Sequence, residues 1–230
     1  MTDAISPPGN VSSRAPERAS GFTPKTVLHT SEAMVVTANP LATQAGVDIL
    51  RQGGTAVDAA ITAQLVLGLT EPQSSGIGGG AFLLLFDGKD VVAFDGREMA
   101  PAAATAERFL TPSGQPLRFR EAIVGGRSVG VPGVLKMLEM AHRRYGKLPW
   151  ARLFETAICL ARDGFPMSQR LHWLLSHEVA LRQYEPARSY FYQADGTPKP
   201  AGTLLQNPDY ARVLTQLAEQ GATVFYHGPL

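Results

Sequence analysis

The sequence predicts an α+β fold: helices gathered around a short β-hairpin. Three observations point to it. Apolar residues recur at helical spacing in several segments between residues 40 and 220. Two short apolar runs flank an Asp-Gly pair within residues 81–94, the signature of a hairpin. The regular alternation of strand and helix that marks a parallel, doubly wound sheet is missing.

The elements follow in order. Residues 1–25 are rich in Ser, Pro and Ala and have no apolar h-region, so they read as a disordered lead, and order is expected from Thr26. Ala33–Thr37 is a short strand candidate. Pro40 opens a helix with Leu41, Ala45 and Ile49 on one face, which Gly53-Gly54 stops. Thr55 caps the next helix, with Asp58 three residues on. Beyond its first turn that helix is apolar nearly all round, which marks it as buried. A glycine turn, Gly76-Ile-Gly-Gly-Gly80, leads into the strands Ala81–Phe86 and Val91–Phe94. Pro101 to Arg127 is irregular. Gly130-Val-Pro-Gly133 forms a turn, with Pro132 suited to the first position of a helix that runs to Gly146. Helical spacing resumes from Trp150 to Ala161, from Ser168 to Gln183, and from Asn207-Pro208 to Gly221. Two strands alone make a marginal sheet, so the hairpin is expected to pair with strands from outside this chain.

Composition narrows the function. The net charge of +1, from 21 basic and 20 acidic residues, gives no electrostatic case for nucleic acid or anionic membrane. No apolar run reaches the roughly 20 residues of a membrane span. The single cysteine, Cys159, forbids an internal disulfide and reads as a small buried hydrophobe. The five histidines are scattered; His172 and His177 face different sides of a helix, so no metal site is expected. Gly76-Ile-Gly78-Gly79-Gly80-Ala81 fits G-x-G-x-x-G/A loosely. A helix precedes it and a strand follows, the reverse of a dinucleotide site, so no cofactor is expected. The loop is a structural turn or faces a ligand. Arg97, in Asp95-Gly-Arg-Glu98 at the hairpin end, is the best binding candidate: either a surface arginine paired with Asp95 or Glu98, or a bidentate clamp for a carboxylate.

Five blocks in order resemble one family. They are Ala33-Met-Val-Val with Ala45–Ala60, Glu71–Gly80, Asp95–Pro101, Gly130–Gly133 and Leu160–Phe165, and they resemble the N-terminal region of γ-glutamyltranspeptidases. The resemblance implies that residues 26–230 are the N-terminal part of a large subunit. The whole protein would be an N-terminal nucleophile hydrolase with a four-layer αββα core, made as a precursor that cuts itself. The new N-terminal threonine of the small subunit would take the γ-glutamyl group from glutathione or a related amide and pass it to an amino acid or water. That implied nucleophile lies beyond Leu230, so no catalytic residue is expected within this chain. The 230 residues alone are expected to be inactive, with the C-terminal remainder and small subunit as their partners. Arg97 matches the family arginine that binds the α-carboxylate of the γ-glutamyl group. Gly96 departs from the pattern, where an aromatic residue can stand, and this loosens the expected support of Arg97. The lack of a signal segment points to the cytoplasm, whereas the resemblance points to the periplasm or secretion. A β-lactam side-chain acylase of the same family, or a non-catalytic relative acting as a binding protein, are the alternatives.

Overall fold

The computed structural model describes residues 26–228 and residue 230; the disordered lead expected over residues 1–25 lies outside them. Among the described residues the order is α1 (Pro40–Arg51), α2 (Ala56–Thr70), β1 (Ala81–Phe86), β2 (Val91–Gly96), α3 (Phe119–Ile123), α4 (Val134–Tyr145), α5 (Glu155–Asp163), β3 (Phe165–Pro166), α6 (Gln169–His177), α7 (Ala187–Phe191), β4 (Leu204–Leu205), α8 (Pro208–Gln220) and α9 (Thr223–His227).

Helix α2 is the centre of the larger core. Val57, Ile61, Leu65, Val66 and Leu69 are all buried, and α1, α4 and α5 pack around them. A helix covered on several sides has no polar face to offer, which is why its sequence reads apolar throughout. Thr55 caps it with a full capping box: its hydroxyl accepts from the Asp58 amide at 3.2 Å, and Asp58 Oδ2 accepts from the Thr55 amide at 2.9 Å. Asp58 is fully buried, and the same Oδ2 also accepts from the amides of Lys147 (3.0 Å) and Leu148 (3.2 Å), tying α2 to the segment after α4. A smaller core gathers Phe165, Met167, Leu171, Leu175, Tyr192 and Leu205 around α6 and the two-residue ladder β3–β4.

The hairpin β1–β2 is antiparallel, with Leu83 opposite Phe94 and Leu85 opposite Val92. These four side chains face the core, where α4 packs against the hairpin. The alternate residues Phe82, Leu84, Phe86 and Val91 point outward and are 65–74% exposed, a continuous apolar face with no cover among the described residues. Asp87 closes the turn by accepting from the amides of Lys89 and Asp90, both at 2.9 Å.

Several expectations are corrected. Ala33–Thr37 forms no ladder among the described residues, although its burial alternates and Val35 packs on Gly46. A strand needs a neighbour for its backbone groups, and the hairpin pairs only with itself. The helix expected over Ser168–Gln183 ends at His177. There the Leu175 carbonyl accepts from the Tyr192 hydroxyl at 3.3 Å and the Ser176 carbonyl from Arg182 at 3.3 Å, so side chains replace the next helical turn. The run from Trp150 starts as a tighter 3-10 turn before α5 begins at Glu155. Pro132 lies outside α4, which begins at Val134 behind the N-cap Gly133. Cys159 is exposed: α5 turns Ala157 and Ala161 to the core, and a residue two positions from each lies on the opposite side.

Candidate functional site

Three segments, far apart in sequence, meet at the end of the hairpin. The first is the glycine loop after α2. Glu71 opens it from a nearly buried position, where its carboxylate holds the Arg170 guanidinium and accepts from Gln73 Nε2 at 2.7 Å. Its carbonyl accepts from the amides of Ser74 and Ser75, at 3.1 and 3.0 Å, which makes the chain turn sharply. The pair with Arg170 fastens this turn to α6. The loop then passes Gly76 and Gly78, where an added side chain would meet none of the described residues, and reaches Gly80, where it would strike the Glu98 carboxylate and, at 2.8 Å, the Gly96 carbonyl. The near end of the loop is open and its far end is packed.

The second segment is Asp95–Met99. The Arg97 amide donates to Asp95 Oδ1 at 2.9 Å, bending the chain out of the strand. The Arg97 side chain is 65% exposed, and its Nη1 pairs with the Glu98 carboxylate. No other hydrogen bond holds the guanidinium among the described residues, so its remaining donors face solvent and can take a planar anion. An ion pair this exposed contributes little stability, so the guanidinium is not locked in place. Of the two readings from the sequence, the structure shows the pairing with a neighbouring acid, Glu98, and leaves the rest of the Arg97 guanidinium exposed.

The third segment is the Gly130–Gly133 turn. Val131 and Met99 exchange backbone hydrogen bonds at 2.8 and 3.2 Å. The amides of Gly133 and Val134 both donate to the Gly79 carbonyl, at 3.1 and 3.2 Å. A side chain at Gly133 would lie 2.7 Å from the Arg97 carbonyl, so only glycine allows this approach. Gly96, expected to leave Arg97 loosely supported, is buried, and the space beside it is filled by Met137 of α4: a side chain at Gly96 would lie 2.6 Å from Met137 Cβ.

The remaining sequence candidates lie elsewhere. His172 Nδ1 lies 2.9 Å from the Lys199 carbonyl and His177 Nδ1 lies 2.8 Å from the Trp173 carbonyl, each in its own local contact. No three His, Cys, Asp or Glu side chains come together as a metal site among the described residues, and no described helix is long and apolar enough to cross a membrane. Sequence reasoning singled out Arg97 and the glycine loop. It did not foresee that Glu98 packs against Gly80, or that the Gly130–Gly133 turn joins them. The dense Gly and Pro of that turn were the available signal.

Residues 42–230 match the family model for gamma-glutamyltranspeptidase. The glutathione hydrolase proenzyme of Bacillus subtilis (strain 168) is 39% identical over 199 residues, covering 86% of this chain and 34% of that protein. The chain therefore spans about a third of the length of the curated relatives it matches. The crystal structure of Helicobacter pylori gamma-glutamyltranspeptidase superposes with a TM-score of 0.83 at 30% identity, over 89% of this chain and 59% of that one. A cephalosporin acylase from Bacillus halodurans superposes with a TM-score of 0.70 at 29% identity, over 90% of this chain and 41% of that one. The mixed helix-and-hairpin arrangement is thus part of the fold of these N-terminal nucleophile hydrolases, as the sequence led us to expect.

Proposed function

Because the chain belongs to the gamma-glutamyltranspeptidase family, we propose that it is the N-terminal part of the large subunit of a γ-glutamyl acyltransferase and hydrolase. The whole protein takes the γ-glutamyl group from glutathione or a related amide onto the N-terminal threonine of its small subunit. An amino acid or water then accepts it. The carbonyl carbon is attacked by the threonine oxygen, the amine leaves with a proton, and the acceptor repeats the exchange in reverse. The threonine and its own amine belong to the part of the precursor that follows this chain.

The observation that carries this reading is the placement of Arg97. Its guanidinium is exposed at the meeting point of three backbone segments, with one side on Glu98 and the other unoccupied. In our reading that free edge takes the α-carboxylate of the γ-glutamyl group. A two-point contact at the far end of the donor fixes the distance from the clamp to the scissile carbonyl, and so aligns the carbonyl with the nucleophile.

The uncovered outer face of the hairpin supports the partner half of the proposal. Four exposed apolar side chains on one sheet face need burial, and the remainder of the precursor is the partner we assign to them. A β-lactam side-chain acylase is the second reading, which the acylase neighbour supports at a lower TM-score.

The test is release of p-nitroaniline from γ-glutamyl-p-nitroanilide by the full-length precursor and by the 230-residue chain. Release by the precursor alone, together with its cleavage into two subunits, is the expected result. Release by the short chain contradicts the placement of the nucleophile. Silence in both contradicts the γ-glutamyl reading.

A further inference from the structure

Helix α4 starts without a side-chain cap of its own. Its N-cap is Gly133, so its first amides must find acceptors elsewhere. The Gly79 carbonyl serves two of them, as described above. From the other end of the chain Tyr226, on α9, brings its phenol to the start of α4, beside the Lys136 amide. The phenol O–H in turn donates to the Pro132 carbonyl at 2.8 Å.

Pro132 stands at the middle of the third segment of the site. On one side of it Val131 is paired in both directions with Met99. On the other side Gly133 lies against the Arg97 carbonyl and donates to Gly79. Gly130 packs equally closely on Glu98: a side chain there would lie 2.7 Å from Glu98 Cβ. The Tyr226 hydroxyl therefore adds a side-chain tie to the four backbone hydrogen bonds that hold the turn against which both Arg97 and its acidic neighbour rest.

Tyr226 is itself firmly placed. Glu139 of α4 is nearly buried, and its Oε1 accepts from the Ala222 amide at 3.0 Å, fixing the bend between α8 and α9. Val224, two residues before Tyr226, is buried against the core. Burial pushes the phenol's pKa above its ordinary value; the Lys136 amide pulls it down and the charge of Glu139 pushes it up.

We infer that Tyr226 is a positioning residue for donor binding: through Pro132 it sets the turn that orients Arg97 toward the donor's carboxylate. This rests on the assignment of Arg97 under the proposed function. Tyr226 touches no reacting atom in this account, and its effect belongs to the binding of donor rather than to acyl transfer.

The experiment is Tyr226→Phe in the full-length precursor, which keeps the ring and removes only the hydroxyl. Losing one neutral hydrogen bond on the turn should raise KM for γ-glutamyl-p-nitroanilide about fivefold. The kcat should stay within about twofold, because the clamp holds ground state and transition state alike. In an Arg97→Lys background the same change should move KM less than about twofold, since the clamp it orients is already lost. Amide exchange of Met99, Gly133 and Val134 should quicken about fivefold in Tyr226→Phe, with α2 unaffected. Unchanged exchange at those amides, or a KM effect that persists in full in the Arg97→Lys background, overturns the inference while leaving the clamp standing. An Arg97→Lys variant with the native KM overturns the clamp itself, and the role of Tyr226 with it.

Discussion

Asp58 holds together the two halves of the larger core, and its removal makes a quantitative prediction. Its side chain is fully buried, and one carboxylate oxygen accepts from three amides, those of Thr55, Lys147 and Leu148. Asp58→Ala leaves all three without an acceptor. Thr55 and Leu148 are half-buried and Lys147 is exposed, so water takes up part of the loss at each amide, but the link that joins the end of α4 to α2 is gone. Hydrogen bonds to a charged acceptor contribute about 1.5–3 kcal/mol each, and with three of them lost and water taking up part of the loss the variant should lose about 3–5 kcal/mol. At about 2–4 °C per kcal/mol for a protein of this size, the unfolding midpoint should fall by about 6–20 °C. Asp58→Asn separates acceptor from charge. It keeps an oxygen for the three amides and puts an NH2 group where Oδ1 now stands, 3.8 Å from His142 Nε2. That nitrogen lies 2.8 Å from the Leu148 carbonyl, so it carries a proton and cannot accept from the new group. The loss for Asn should be about 1–2 kcal/mol. The assay is thermal unfolding by far-ultraviolet circular dichroism on both variants. Equal midpoints for the two variants, or an alanine variant within about 2 °C of the parent, would refute the argument that the three amides depend on this oxygen.

Three further predictions follow from local features. The Tyr210 hydroxyl is buried with no hydrogen-bond partner among the described residues, and burial raises its pKa, so Tyr210→Phe should be neutral or stabilise by up to about 1 kcal/mol in denaturant melts; a loss larger than that would contradict this. Gly133→Ala places a methyl group against the Arg97 carbonyl and should destabilise by about 1–3 kcal/mol while weakening donor binding, so an unchanged midpoint together with an unchanged KM would contradict the close packing at this turn. Amide hydrogen bonds from Asp90 and then Lys89 hold the Asp87 pKa below 3.8. With the folded value the lower of the two, the contribution of Asp87 to stability is complete above the unfolded pKa and is lost as pH falls through the folded one; a carboxyl-carbon titration returning a folded pKa at or above 3.8 would contradict this.

Local rules read much of this fold from the sequence. The caps of α1, α2 and α8 are Asn39, Thr55 and Asn207, and Gly221 ends α8 in a left-handed conformation, so short-range chemistry alone marks those boundaries. The hairpin was legible because alternation and an Asp-Gly turn are also local. What failed depended on partners. Ala33–Thr37 has strand composition, yet a strand is defined by its neighbour, and none of the described residues supplies one. The early stop of α6 depends on Tyr192 and Arg182 reaching back from later in the chain. Cys159 was misread because α5 buries two alanines and leaves the cysteine's side outward, a choice made by packing rather than by composition. The site divides the same way. Arg97 was singled out as a candidate from its neighbours in sequence and from the family resemblance. Tyr226 and the Gly130–Gly133 turn reach its neighbourhood across long stretches of chain, and that placement is visible only from hydrogen bonds between distant segments.

The measurement that tests the central claim most directly compares two donors on the full-length precursor and its Arg97→Lys variant. One donor is γ-glutamyl-p-nitroanilide; the other is 4-aminobutyryl-p-nitroanilide, which lacks the α-carboxylate. Loss of a bidentate charged contact should cost about 2–4 kcal/mol, so kcat/KM for the first donor should fall about 30- to 1,000-fold. The second donor should be turned over poorly and equally by both proteins, and cleavage into subunits should proceed normally in each. An Arg97→Lys variant that retains native kcat/KM on the γ-glutamyl donor, or that loses as much on the donor without a carboxylate, would contradict the account.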